Sequence, residues 1–470
     1  MCGLFGFYAY PHPNHANNLV ANGLGELTHR GGAGSGAVVY NGERFETRHG
    51  GGTPRSVFGD PARVYSEHKR VHGASGIAHT RYQTAGDNRL SNVQPFYRHM
   101  KLGWIAMAHN GQFTNDSWLK QELLGQGQSF LGTSDSEVVL AQMAAMPQSP
   151  SWVDCILDAL SRIQGAYALL FLTDHSLIGV RDPYGVRPLV IGQLDDGTYL
   201  MASETAAIHQ VGGHIVRDVE PGELVVIDAT GITSHRMNHG LTTPRHMCSF
   251  EWAYFARPNS MMQLPNGQLK SVASIRKELG RQLWQETPAM ADVVIPILNS
   301  GRYAAGGFSN TSDIELEEGI VRSTHEGRAF MLPTADARKH KVRMKQAPIK
   351  DIIRGKRVVL VDDSVVRGDT SPELVQMVRD AGATAVHFRA SFPQIRFNCY
   401  SGVDLADQSL LLAHQMAGDV QRMAKHMGAN SLGFISPQGV YQALGTDKRA
   451  TGLCTSCFTG VYPAGLQPAA

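Results

Sequence analysis

The apolar positions of the chain change pattern part-way along. In the first half they form short runs broken by glycine and proline, and residues 3–7 (GLFGF), 168–172 (ALLFL) and 224–227 (LVVI) each read as a buried strand. In the second half, longer helical patterns alternate with branched apolar runs. A helix is predicted near residues 271–285, strands at 293–297, 358–361 and 385–390, and a helix over 373–381. Branched runs without polar alternation belong to strands covered on both faces. The second half therefore predicts an α/β unit around a mainly parallel sheet, and the first an α+β unit of short strands. Residues 230–245 turn polar and carry Gly, His and Pro, which marks a boundary between one domain over residues 2–240 and another over 249–470. No internal repeat or low-complexity segment interrupts either.

Residues 358–371, VVLVDDSVVRGDTS, carry the clearest chemistry. The buried run ends at two adjacent carboxylates, Asp362 and Asp363, and a loop containing Gly368, Thr370 and Ser371 leads into the next helix. A strand that passes through a loop into a helix N-terminus aims unpaired N–H groups and the positive end of the helix dipole at one point, which suits a phosphate. The carboxylate pair could hold ribose hydroxyls and, through water, the magnesium that accompanies a diphosphate. No G-x4-G-K-[ST] loop and no G-x-G-x-x-G fingerprint occurs, so neither a Walker A nor a dinucleotide site is indicated.

The segment DDSVVRGDTS resembles the 5-phosphoribosyl 1-diphosphate loop of type I phosphoribosyltransferases, in the wording used by amidophosphoribosyltransferases. The resemblance implies that Asp362 and Asp363 bind the ribose hydroxyls and Mg²⁺, while Ser364, Arg367, Gly368, Thr370 and Ser371 cradle the 5′-phosphate. Residues 296–301, PILNSG, resemble the short diphosphate-contact loop of the same family.

At the other end of the chain stands Cys2. If Met1 is removed, as is expected before a small residue, the new α-amino group, with an unperturbed pKa of ~8, can serve as base for the Cys2 thiol. Behind it come His29-Arg30-Gly31, His79-Thr80-Arg81-Tyr82, His109-Asn110-Gly111 and Ser134-Asp135-Ser136-Glu137 in that order, then Arg181-Asp182-Pro183-Tyr184-Gly185-Val186-Arg187-Pro188-Leu189 and Ser203-Glu204-Thr205. This series resembles the glutaminase domain of the N-terminal-nucleophile amidotransferases, an αββα sandwich. It implies that Cys2 attacks the side-chain amide of glutamine, that Asn110 and the Gly111 N–H form the oxyanion hole, and that Arg81 and Asp135 clamp the α-carboxylate and α-ammonium. Those residue types meet the need: a zwitterionic amino acid requires one cationic and one anionic clamp, and a tetrahedral oxyanion requires neutral N–H donors.

Composition narrows the partners. A net charge of +2 gives no electrostatic case for nucleic acid, and no apolar run approaches the ~18 residues of a membrane span. The N-terminus has no charged segment ahead of its apolar residues and no small-residue cleavage pattern, so no secretory signal is read and a cytoplasmic location is expected. Six cysteines in 470 residues are too few for a disulfide scaffold. Cys155 sits in an apolar helical stretch and is expected in a core. Cys248, Cys399, Cys454 and Cys457 remain, the last two as C-x2-C; four thiolates suit a [4Fe–4S] cube or equally a tetrahedral zinc, and spacing does not decide between them. Their positions match the cluster ligands of the iron–sulfur class of amidophosphoribosyltransferase, which implies a [4Fe–4S] cluster that staples the C-terminal tail to the first domain.

Taken together, the resemblance implies an enzyme that releases ammonia from glutamine at Cys2 and passes it internally to C1 of 5-phosphoribosyl 1-diphosphate, giving 5-phosphoribosylamine for purine synthesis. A homodimer or homotetramer is expected with it. Several residues depart from the family's wording: Gly32 and Gln83 near the first site, Asp369 inside the phosphate loop, and residues 322–330 of the expected flap at 319–345. The flap departures leave a paralogue that aminates another phosphorylated sugar as an alternative. A non-catalytic sensor of phosphoribosyl diphosphate is a second, against which the intact Cys2 weighs.

Overall fold

In a computed structural model, the structure describes residues 1–9, 16–59, 70–82, 87, 89–146, 149–237, 246–322, 346–405, 407–446 and 452–467. Two antiparallel sheets dominate the first half. One runs His214–Asp218, Val190–Gln193, Tyr199–Ala202, Gly3–Tyr8, Ser75–Arg81, Gly34–Tyr40, Phe45–Gly51, and the other Gly231–Arg236, Glu223–Asp228, Leu177–Arg181, Gly165–Leu172, Gly103–Phe113, Phe96–Met100. Strand alternation assigns each residue to a layer. Leu4 faces the core between the sheets with Val38, Ile77, Leu170 and Val225, whereas Phe5 and Phe7 face an outer layer with Leu19, Val20, Leu24 and Phe58. On the far sheet Leu169 and Phe171 pack beneath helices through Leu119, Val139, Ile156 and Leu160. Both faces of the central strands are therefore covered, which is why 168–172 is apolar without alternation, and the result is the expected αββα sandwich.

The second half holds a four-stranded parallel sheet in the order Val293–Pro296, Arg357–Asp362, Ala385–Ala390, Ser431–Phe434. Its faces are filled from opposite sides. Val358 and Leu360 meet the helices Ser371–Asp380 and Val420–Met427 through Leu374, Val378 and Met423, while Val359 and Val361 meet Val272–Glu286 and Arg302–Ser312 through Leu279, Leu283 and Phe308. The latter core is continuous with Tyr184 and Val186 of the first half and with Cys248, Trp252, Cys454 and Phe458, so the two halves share buried surface. The polar stretch from residue 230 is not all linker: Gly231–Arg236 extends the sandwich by an edge strand paired with Glu223–Asp228. The helix after the phosphate loop starts at Ser371, two residues earlier than its apolar periodicity indicates, with proline in its first turn. Among the described residues no helix is long and apolar enough to cross a membrane.

Candidate active sites and a four-cysteine cavity

Cys2 lies at the head of the strand Gly3–Tyr8 and is buried. Its strand partner Ser75–Arg81 pairs Gly3 with Thr80, which brings Arg81 to the same end. From the other sheet Asn110 reaches across: the Cys2 N–H donates to Asn110 Oδ1 at 3.2 Å, and Cys2 Sγ stands 3.8 Å from Tyr82 O. Burial pushes the Cys2 thiol up, and the charges of Arg81 and Asp135 both act on it. Asn110 Nδ2 is buried and has no partner among the described residues, a donor with nothing to donate to until an acceptor enters. Asp135 is buried; its Oδ2 accepts the Phe113 N–H at 3.0 Å and its Oδ1 lies 3.2 Å from Ser136 Oγ. Cys2, Arg81, Asn110, Gly111 and Asp135 are thus gathered at one point from separate elements.

Two parts of this site carried no assigned role in the sequence. Arg30, fully buried, donates from Nε to Cys2 O at 3.1 Å, from Nη1 to Glu204, and from Nη2 to Glu251 at 2.6 Å. Burial would raise the Glu204 carboxyl, but Arg30 and His29 hold it well below the usual carboxylate range. A guanidinium with both partners buried locks the backbone behind the nucleophile. Gln94, His109 and Ser136 form the second part. Gln94 Oε1 accepts the His109 N–H at 2.7 Å, Gln94 Nε2 donates to Ser136 Oγ at 3.0 Å, and His109 Nδ1 is 2.8 Å from the same oxygen. Burial pushes His79 down to about 3, so it stays neutral. The available signal was that Arg30, His109, Ser136 and Glu204 stand inside the motif series behind Cys2; Gln94 carried none.

At the second site Asp362 ends its strand and Asp363 follows. Asp362 Oδ1 accepts the Asp363 N–H at 2.9 Å and Ser300 Oγ at 3.4 Å, while Ser364 Oγ donates to Asp363 Oδ2 at 2.6 Å. Burial, then the neighbouring Asp363 charge, pushes the Asp362 carboxyl well up. Ser300 belongs to the 296–301 loop, and a Cβ at Gly301 would come 2.3 Å from Val361 O, so that loop abuts the strand end. Gly368 needs to be glycine: its φ is +72°, and a Cβ would meet Leu412 Cδ2 at 2.7 Å. Thr370 is the N-cap of the following helix without a side-chain cap bond, and Arg367, Asp369 and Thr370 are exposed around the loop. Arg322 closes the short strand Ile320–Arg322, paired with Gln346–Pro348; residues 323–345 of the expected flap, and Gln83, lie outside the described residues.

Between the sites stand two half-exposed phenols. Tyr82 feels the charges of Asp404 and Arg367, and Tyr254 those of Asp363, Tyr82 and Asp362. The four late cysteines also converge. Cys248 pairs with Cys454 in register across the two-stranded ladder Met247–Cys248 and Leu453–Cys454, and both line, with Cys399 and Cys457, one small cavity. The Ser401 N–H donates to Cys399 Sγ at 3.4 Å. All of them are free thiols, and among the described residues no three His, Cys, Asp or Glu groups draw close enough to hold a single metal ion. Cys155 lies apart, buried beneath the outer helices as expected.

Residues 79–210 match the model of a glutamine amidotransferase domain. The chain is 40% identical to an amidophosphoribosyltransferase of Rhizobium etli, over 99% of this chain and 92% of the relative, and 39% identical to that of Bacillus subtilis, over 98% and 94%. The solved glutamine phosphoribosylpyrophosphate amidotransferase of B. subtilis, complexed with ADP and GMP, superposes with a TM-score of 0.88 at 38% identity, covering 98% of this chain and 97% of the other. Likeness spanning both sites does not favour a paralogue with another sugar or a sensor without chemistry. With an αββα sandwich, a parallel-sheet unit behind it, and relatives alike over nearly their whole length, the chain belongs to the amidophosphoribosyltransferase family.

Proposed function

We propose that this enzyme hydrolyses glutamine at Cys2 and delivers the ammonia, inside the protein, to C1 of 5-phosphoribosyl 1-diphosphate bound by the 362–371 loop. The products are glutamate, diphosphate and 5-phosphoribosylamine, the first committed intermediate of purine synthesis. The observation that carries the first half is the convergence of Cys2, Arg81, Asn110, Gly111 and Asp135, with Asn110 Nδ2 buried and unpartnered. Once Met1 is gone the Cys2 amine takes the thiol proton, and the thiolate attacks the amide carbon. The carbonyl electrons move onto oxygen, and Asn110 Nδ2 and the Gly111 N–H donate hydrogen bonds to the resulting oxyanion. Collapse expels ammonia, which carries the proton back from the amine, and water then cleaves the thioester to glutamate.

At the second site Asp362 and Asp363 would hold the ribose hydroxyls and Mg²⁺, whose charge assists departure of the diphosphate. Ser364, Arg367, Gly368, Thr370 and Ser371 would receive the 5′-phosphate. Tyr82 and Tyr254, whose phenols sense charges beside both sites, would border the path of the ammonia. Four thiols around one cavity would hold a [4Fe–4S] cluster, as the likeness to the iron–sulfur class suggests, and the Ser401 N–H is the kind of donor that such a cluster takes. Its role would be structural. Assembly is proposed as a homodimer or homotetramer, which sedimentation of the purified enzyme decides.

Cys2→Ala tests the core of the reading. Glutamine-dependent synthesis should vanish while synthesis from free ammonia at high pH persists, because only the first site loses its nucleophile. Parallel loss of both would mean that the halves are not separable.

A further inference from the structure

The glutamine site is built from the first domain, yet a residue of the second touches it. Gly402 is buried, has φ +96°, and lies against the backbone of Gly111: a Cβ built on it would stand 2.8 Å from the Gly111 carbonyl carbon, 2.9 Å from its oxygen and 3.0 Å from its Cα. No side chain fits there unless backbone moves. The other side of Gly111 is closed too, since a Cβ on Gly111 would come 2.0 Å from Ala166 O on the strand paired with it. The Gly111 backbone is therefore gripped between the strand Gly165–Leu172 and the segment that carries Gly402. That segment is tied at both ends. Upstream the Phe397 N–H donates to Cys457 O at 3.1 Å, and downstream the Leu412 N–H donates to Val366 O at 2.9 Å, within the 362–371 loop.

We propose that Gly402 is a positioning residue of the oxyanion hole: by abutting the Gly111 backbone it sets the direction of the Gly111 N–H, so the glutaminase site is complete only when the second domain is docked. The physical reason lies in preorganisation. A donor aids a developing oxyanion only if it is aimed beforehand, and a hydrogen bond weakens steeply as its angle closes. Arg81 and Asp135, which would hold the amino-acid end of glutamine, are not in this contact. Displacing Gly402 should therefore leave substrate affinity and disturb the chemical step. The proposal rests on the assignment of Gly111 to the oxyanion hole.

The test compares Gly402→Ala with Gly42→Ala in the full-length holoenzyme. Gly42 has nearly the same φ, +98°, but nothing within 4 Å of a built Cβ, so its variant carries the backbone strain without the contact. Gly402→Ala should lower kcat for glutamine hydrolysis at least ~30-fold, within the range of losing an oxyanion donor. KM for glutamine should change less than about threefold, and ammonia-dependent synthesis should stay within about twofold; Gly42→Ala should leave all three nearly unchanged. Gly402→Asn, which tolerates positive φ better than alanine, should reproduce the kcat loss. Equal losses with glutamine and ammonia, a rise in KM alone, an equal effect of Gly42→Ala, or failure of both Gly402 variants to fold would each overturn it. Asn110→Ala separates the two readings. If it spares glutamine hydrolysis the oxyanion assignment itself is wrong; if it abolishes hydrolysis while Gly402→Ala does not, only the Gly402 proposal falls.

Discussion

Single side chains do two different jobs around Cys2. Asn110 is poised for charge that is not yet there, so Asn110→Ala should cut kcat for glutamine hydrolysis ~10²–10³-fold with KM nearly constant, as steady-state kinetics would show. Glu204 instead holds the architecture. Its partners Arg30 and His29 keep it ionised in a buried place, so Glu204→Gln should cost about 3 kcal/mol at neutral pH, read from urea unfolding. The pH signs follow from linkage. Glu204 has a depressed carboxyl pKa, so its contribution is present above the unfolded value near 4.5 and is lost as pH falls below it. His79 is held neutral down to about 3 against 6.5 when unfolded; the unfolded chain binds that proton first, and stability declines as pH falls from about 6.5. Urea midpoints should therefore fall with acidification from about pH 6.5, and Glu204→Gln should flatten only the part below about 4.5. A uniform drop in the variant at every pH would contradict the assignment.

Among the elements, the strand–loop–helix from Arg357 to Asp380 shows how sequence becomes a cradle. The buried strand fixes Asp362 at its end, Gly368 takes the left-handed turn against Leu412, and the helix N-terminus has no side-chain cap of its own. A carboxylate at ~4 Å from a phosphate charge would cost on the order of 4 kcal/mol at an effective dielectric constant of 20, so Asp369 is tolerable only if it points outward. Asp369 is exposed. Asp369→Thr should then tighten the binding of 5-phosphoribosyl 1-diphosphate by less than ~tenfold, or ~1.4 kcal/mol, measured by calorimetry. A larger gain would put the carboxylate in the cradle.

Across the whole molecule, the C-terminal tail ties the halves together. Leu453–Cys454 pairs with Met247–Cys248, the Tyr184 hydroxyl donates to Ala464 O at 2.9 Å, and Thr114 Oγ1 donates to Gly465 O at 2.8 Å. Anaerobically purified enzyme should be brown and hold roughly four irons per chain; a colourless preparation with stoichiometric zinc would overturn the cluster assignment. Deleting residues 453–470 should abolish the colour and lower the melting temperature of the first domain as well as the second. An unchanged first-domain transition would show that the tail does not staple it.

Much of this was legible one residue at a time. The run at 168–172 announced a strand covered on both faces, and the run at 358–361 a strand that ends at Asp362 before a loop into a helix, because periodicity and turn chemistry are local properties. The fold class was legible too, although the polar residues 231–236 looked like linker and form an edge strand, where one face needs no apolar cover. What local pattern could not convey were pairings made across the folded chain. Arg30 meets Glu204 and Glu251 from 174 and 221 positions away, and a guanidinium reads as surface until the carboxylates that neutralise it are placed. Gly402 against Gly111 leaves still less trace, since a glycine chosen for lack of room looks like any glycine in a turn. Side-chain chemistry is written along the chain, but who stands next to whom depends on how two sheets and a parallel core close on one another.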